Sequence, residues 1–208
     1  MDIIILGAGS QAKYVIDNLS FYEDYNILGI LDLENNSKIH GEKIEGVRIL
    51  GNFEDEIIKI SKSVRTIVAH SDNKKKQNTV KSLKNKGFNF INAIHPSAII
   101  SDSCKLGNGM IINSNVSIMP GAIIKGHSIL HSNTVVEHDC VLEEYVNLAP
   151  SVSLSGFVII KRRAYVFTGA SIIPSIVIGE DAIIGAGAVV ISNVKYSQKV
   201  VGNPAHAI

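Results

Sequence analysis

Residues 98–193, set out six at a time, read AIISDS CKLGNG MIINSN VSIMPG AIIKGH SILHSN TVVEHD CVLEEY VNLAPS VSLSGF VIIKRR AYVFTG ASIIPS IVIGED AIIGAG AVVISN. The third residue of all sixteen groups is Ile, Leu or Val, from Ile100 and Leu106 to Ile184 and Val190, with no insertion or deletion. The first residue is small or medium, as at Ala98, Cys104, Ala122, Ser128, Ala164 and Ala188. A helix needs a period near 3.6 and a simple strand a period of two. A period of six fits the hexapeptide-repeat β-helix, in which each hexad supplies a short strand and a turn. Three hexads then close one triangular coil of about eighteen residues, with the large aliphatic side chain pointing inward.

Composition follows from that repeat. The chain has 208 residues, 46% hydrophobic and 19% charged, enough to build a real core. Trp is absent and aromatics are 6%, because a narrow prism has little room for them. Turns favour Gly, Asn, Asp and Ser, which accounts for Gly107, Asn108, Gly121, Gly126, Asn133 and Gly187. Cys104 and Cys140 share a hexad position two coils apart. Stacked strands at ~4.8 Å put their Cα atoms about 9–10 Å apart, too far for a disulfide. Two free, inward thiols are expected, as in a reducing compartment. A net charge of +1 argues against nucleic acid as a partner. No apolar run is long enough to span a membrane, and no signal peptide is visible. A cytoplasmic protein with no membrane partner is expected.

Residues 1–94 carry no hexads and read as a separate domain. Asp2–Leu6 is a buried strand, followed by Gly7-Ala8-Gly9-Ser10-Gln11-Ala12 and a helix whose apolar face is Ala12, Val15, Ile16 and Leu19. A second strand, Asn26–Leu31, ends in Asp32. A loop with Gly41 and Gly46 follows. Glu54–Lys62 reads as helix, Thr66–Ala69 as strand, Lys74–Lys86 as helix and Phe88–Ala93 as strand. Alternating strands and helices predict a small Rossmann-like parallel sheet. The β-helix domain then occupies 95–208, entered through His95-Pro96.

The glycine loop matches G-x-G-x-x-G/A between a strand and a helix, where backbone N–H groups and the helix N-terminus favour a phosphate. Asp32 suits a hydroxyl-bearing sugar or a base. There is room before the hexads for one βαβαβ half, which holds one nucleotide; a dinucleotide oxidoreductase uses two. In the repeat, Glu137-His138-Asp139 puts an imidazole between two carboxylates in a turn. A neighbouring carboxylate can fix its tautomer and make it a general base; the alternative is a solvated turn histidine. His127 and His131 raise a zinc site, but spacings of four and seven do not match the coil, so one protomer does not readily gather them. Lys161-Arg162-Arg163 reads either as a phosphate contact or as a solvated basic turn. The lysines from Lys74 to Lys86 read mainly as a solvated helix face.

Taken in order, the glycine loop, the Asp32-ended strand, Ser71-Asp72-Asn73, His95-Pro96-Ser97-Ala98, the hexads, Glu137-His138-Asp139-Cys140 and Gly202-Asn203-Pro204-Ala205 span essentially the whole chain. This order resembles the bacterial sugar O- and N-acetyltransferases of the hexapeptide-repeat superfamily, which include bacillosamine- and perosamine-pathway N-acetyltransferases and sialic acid O-acetyltransferases. The resemblance implies a left-handed parallel β-helix. It implies a homotrimer with acetyl-CoA, the co-substrate, in the groove between adjacent β-helices, and no metal. It also implies a nucleotide sugar held by the N-terminal domain near the catalytic histidine. By the same resemblance His138 is the base and Asp139 orients it. Asn147, Gly156, Thr168 and Ala186 correspond to acetyl-CoA contacts. Gly9, Ser10, Gln11 and Asp32 correspond to nucleotide-sugar contacts, with Ser71 and His131 beside them.

The implied reaction is direct acetyl transfer to the amine of a nucleotide-linked 4-amino-4,6-dideoxy sugar, in surface-glycan biosynthesis. A backbone N–H is expected to steady the oxyanion. The chain departs from the family pattern at Gln11, often a histidine; at His131, an asparagine; at Asn147, a cofactor-contacting histidine; at His206, a basic residue; and at Lys161, a glycine. Alternatives are a sialic acid O-acetyltransferase, a zinc hydratase on the same β-helix, and a non-catalytic scaffold.

Overall fold

The period of six appears in the computed structural model as a strict register. The model describes all 208 residues and falls into two units, Met1–His95 and Pro96–Ile208. In the second unit each two-residue strand pairs in parallel with the strand eighteen residues on, as Ile112 with Leu130 and Leu130 with Leu148. Three faces result: one carries Ile111–Ile112, Ile129–Leu130 and Asn147–Leu148; a second carries Ser117–Ile118, Val135–Val136 and Ser153–Leu154; a third carries Ile123–Ile124, Val141–Leu142 and Ile159–Ile160. The unit is a left-handed parallel β-helix. Its inward third positions from Ile112 to Val190 are all buried, whereas Ile100 and Leu106, in the first coil, are half-buried.

The sixth position of each hexad is where the chain turns. From Gly109 to Gly187 every such residue has positive φ, and most are not glycine: Asn115, His127, Asn133, Asp139, Tyr145, Phe157, Arg163 and Asp181 among them. A bulky residue in the left-handed region costs on the order of 1 kcal/mol or more, so the stacked coils impose this conformation on side chains that do not favour it. Gly107 and Gly126 serve a different need from the one expected. A Cβ on Gly126 would stand 2.5 Å from the carbonyl oxygen of Asn108, so these glycines let successive backbones touch.

Both cysteines are free thiols. Cys140 is buried and donates to the Ser155 carbonyl at 3.2 Å; burial pushes its thiol up to about 11. Cys104 is half-buried and donates to Met119 O at 3.0 Å.

The first unit runs β1 (Asp2–Leu6), α1 (Ser10–Ser20), β2 (Asn26–Asp32), β3 (Lys43–Ile44), β4 (Val47–Asn52), α2 (Phe53–Glu56), β5 (Arg65–Val68), α3 (Asn73–Asn85) and β6 (Asn89–Phe90). The strand order is β3-β4-β2-β1-β5-β6, parallel except for the β3–β4 hairpin. The face expected on α1 is buried, Ala12, Val15, Ile16 and Leu19 together. Two expectations are corrected. The segment read as a loop holds the β3–β4 hairpin, and β4 adds to the sheet beside β2. The helix read over Glu54–Lys62 is a single α-turn followed by a 3-10 turn at Ile57–Lys59, which leaves Ile58 exposed. No helix is long and apolar enough to cross a membrane.

Candidate active site

The strand order sets the first candidate site. The chain passes from β1 to β2 on one side and to β5 on the other, so the loops after these strands diverge and leave a crevice at their C-terminal ends. A cavity of about 250 Å³ lies there, lined by Gly7–Gln11 after β1, Asp32–Glu34, Asn36 and Ile39 after β2, and Ala69–Ser71 after β5. Gly7 has φ +112°, and a Cβ on it would strike the Ala69 carbonyl oxygen at 2.5 Å; only glycine lets the two loops close up. Gly9 caps α1 without a side chain, so the positive end of the helix stands open at the cavity.

The sequence-predicted residues fare differently there. Gly9, Ser10, Gln11 and Ser71 line the cavity together. Gln11 is almost buried, and its Oε1 has no hydrogen-bond partner. Asp32 also lines it but is only 1% exposed. Its Oδ1 accepts the Glu34 N–H at 2.9 Å and its Oδ2 the Asn36 N–H at 2.5 Å, with His40 Nε2 3.6 Å away. The acidic residue that ends β2 therefore organises the loop after it. Glu34, which this loop brings to the rim, and His70, which follows β5, are not singled out by the sequence.

The second site lies in the repeat. His138 Nδ1 is 3.0 Å from Asp139 Oδ2, which leaves Nε2 as the open nitrogen of a half-exposed ring. The residues one coil away make this pairing possible. A Cβ on Gly156, eighteen residues on, would stand 2.6 Å from both Cε1 and Nε2 of His138. A Cβ on Gly121, eighteen residues before Asp139, would stand 2.4 Å from its Oδ1. The Phe157 ring meets the imidazole edge-on, with centroids 5.0 Å apart. A carboxylate accepting from Nδ1–H fixes the tautomer that keeps Nε2 basic. The pair, held between two glycines, can take a proton from a nucleophile and hand it to a leaving group.

Residues 2–83 match the family model of the PglD N-terminal domain. The GDP-perosamine N-acetyltransferase of Escherichia coli O157:H7 is 31% identical over 192 residues, 88% of this chain and 82% of that one. The chain belongs to the bacterial sugar N-acetyltransferases of the hexapeptide-repeat superfamily. Members of this family are acetyl-CoA-dependent enzymes, and so is this one. PerB of Caulobacter crescentus, solved with CoA and GDP-perosamine, is 32% identical with a TM-score of 0.92, covering 100% of this chain and 97% of that one. Variants of that enzyme with one histidine replaced by asparagine or alanine hold the same two ligands. The acetyltransferase domain of PglB from Neisseria gonorrhoeae, solved with acetyl coenzyme A, is 25% identical with a TM-score of 0.92, covering 100% of this chain and 98% of that one.

For this sugar N-acetyltransferase the residues matched to acetyl-CoA contacts fall into three places. Thr168 and Ala186 are exposed turn residues one coil apart, on the corner between the first and second faces. Gly156 is buried on the corner between the second and third faces, beside His138, where its lack of a side chain serves the imidazole. Asn147 lies in the first face, fully buried, with both amide atoms unpartnered, and offers no surface to a cofactor. His131 is buried, its Nδ1 3.2 Å from Asn113 Nδ2 one coil below, and His127 stacks on Tyr145 one coil above. The three histidines thus have three separate sets of partners, and no group of three or more metal-ligating side chains comes together. Lys161, Arg162 and Arg163 are engaged by Glu143, Glu144, Glu180 and Asp181, so the basic turn serves as a rung of cross-coil ion pairs.

Proposed function

We propose that this enzyme transfers acetyl from acetyl-CoA to the amino group of a nucleotide-linked 4-amino-4,6-dideoxy sugar, in bacterial surface-glycan biosynthesis, and that it works as a homotrimer. The observation that carries the chemistry is His138, oriented through Nδ1 by Asp139 with Nε2 open. The sugar amine attacks the thioester carbonyl carbon, forming the C–N bond as His138 Nε2 accepts the amine's proton. The tetrahedral intermediate collapses, the C–S bond breaks, and the imidazolium returns the proton to the departing thiolate of CoA. No residue is acylated. Holding both substrates in one site supplies proximity.

The cavity at the end of β1 supports the nucleotide reading. Its glycine loop and uncapped helix N-terminus suit a diphosphate, and Leu33 and Ile39 offer apolar surface to a base. GDP-perosamine is the first sugar to test, because the E. coli and C. crescentus relatives carry that name or ligand. The trimer is supported by the split between corners. His138 is on one corner of the prism, Thr168 and Ala186 on another, and a neighbouring copy brings two corners into one groove.

The test is acetyl-CoA-dependent thiol release with GDP- and UDP-linked 4-amino-4,6-dideoxy sugars, with sialic acid alongside. Release with an amino sugar, and a product heavier by one acetyl group, is the expected result. Release with sialic acid alone contradicts N-acetylation.

A further inference from the structure

The rim of the first cavity carries a carboxylate that phosphate binding does not need. Glu34 follows β2, and its backbone N–H is tied to the buried Asp32. Its side chain is fixed as well. His70 Nε2 donates to Oε1 at 2.9 Å, and Lys75 Nζ donates to Oε1 at 2.8 Å and Oε2 at 2.9 Å. The histidine has one tautomer available, because its Nδ1 accepts the Asp72 N–H at 3.0 Å and the proton must sit on Nε2. Hydrogen bonds from Lys75 first, then His70, hold the Glu34 carboxyl below its usual range, so it is ionised at neutral pH. Oε2 accepts from Lys75 alone and keeps acceptor capacity for a ligand. Leu33 and Ile39 line the same cavity and can flank a flat ring.

We infer that Glu34 reads the base of the bound nucleotide and that this base is guanine, with His70 and Lys75 as positioning residues. The inference rests on the nucleotide-sugar reading above and adds the residue that sets its specificity. Guanine presents two adjacent donors, N1–H and the N2 amino group, either of which can reach Glu34 Oε2 with no carbonyl oxygen set against it from between them. Uracil and thymine present one N–H between two carbonyl oxygens, and those oxygens face the carboxylate unfavourably. Asp32 does not take this part, because it is 1% exposed and turned into its own loop, whereas Glu34 stands exposed at the rim.

Calorimetric titration of the full-length protein with GDP, UDP and dTDP tests this. The wild type is expected to bind GDP about tenfold or more tighter than either pyrimidine nucleotide, the order of one charge-assisted contact. Glu34→Gln is expected to remove that preference while leaving UDP and dTDP affinity within about twofold. His70→Ala is expected to give a smaller loss, confined to GDP. Glu34 is exposed on a loop, so these variants should keep the wild-type melting temperature. Equal affinity for all three nucleotides, or an equal loss for all three in Glu34→Gln, overturns the role of Glu34. If none of the three binds, the nucleotide reading fails and the inference falls with it, an outcome distinct from equal binding.

Discussion

An added methyl group at Gly156 would stand 2.6 Å from two ring atoms of His138. The backbone there is free of positive φ, so alanine is tolerated conformationally and the imidazole must move instead. Displacing a catalytic group by about 1 Å costs on the order of 100-fold in rate. Gly156→Ala is therefore expected to lower kcat about 100-fold with the melting temperature nearly unchanged. Steady-state kinetics beside a thermal melt checks this, and a fully active Gly156→Ala enzyme would mean that the ring is not held where the reaction needs it. The pairing of His138 with a neighbouring carboxylate is legible from Glu137-His138-Asp139. The packing of Gly156 against it is not, although the signal is present: residues eighteen apart are neighbours in this fold. Writing the chain in rows of eighteen places Gly156 over His138, Asp139 over Gly121, and Asp181 over Arg163. The same rows pair Lys161 and Arg162 with Glu143 and Glu144.

The helices and strands of the first unit show where local pattern fails. Gly41 and Gly46 make their stretch read as loop, yet Val47–Asn52 pairs with β2 as β4 and buries Ile49. The sequence of α3 reads as a basic, solvated helix face, and apart from Asn73, Lys76, Val80 and Leu83 its side chains are not buried. Its N-terminus is capped by Asp72, whose side chain accepts the Lys74 and Lys75 N–H groups. One lysine breaks the pattern. Lys76 is 1% exposed, and its Nζ has no hydrogen-bond partner. Burial lowers its ammonium from an ordinary value of 10.5 to about 7. The unfolded chain keeps that proton up to about 10.5 and the folded chain only up to about 7, so unfolding takes up a proton between those values. Stability contributed at this residue therefore rises with pH across that window and is least at its acid end. Lys76→Met keeps the volume and removes the charge. It is expected to raise the melting temperature by several degrees at pH 7, a gain of a few kcal/mol that shrinks toward pH 10. Melts of both proteins across this range check it; an equal difference at every pH would show that Lys76 does not titrate as described.

At the scale of the whole molecule, the stability of the repeat unit lies in one continuous column of aliphatic side chains. Ile124 is fully buried within it, pairing with Leu106 below and Leu142 above along the third face. A carboxylate there has no partner and costs several kcal/mol. Ile124→Asp is expected to abolish soluble folded protein, and a folded Ile124→Asp enzyme would overturn the register. This register is legible because a period of six runs unbroken over sixteen hexads, while the left hand of the coil is what the resemblance implies. The site was legible in part. The glycine loop and His138 announce themselves locally, whereas the Glu34–His70–Lys75 cluster joins segments after β2 and β5 that only the sheet order brings together.

The proposed part of His138 as the base for acetyl transfer is checked by the rate of CoA release from acetyl-CoA with GDP-perosamine as acceptor, in wild type and in His138→Asn. His138→Asn is expected to lose turnover by about a thousandfold, within the range of general-base catalysis, while its melting temperature and its binding of both substrates persist. A His138→Asn enzyme that retains most of the wild-type rate would contradict it.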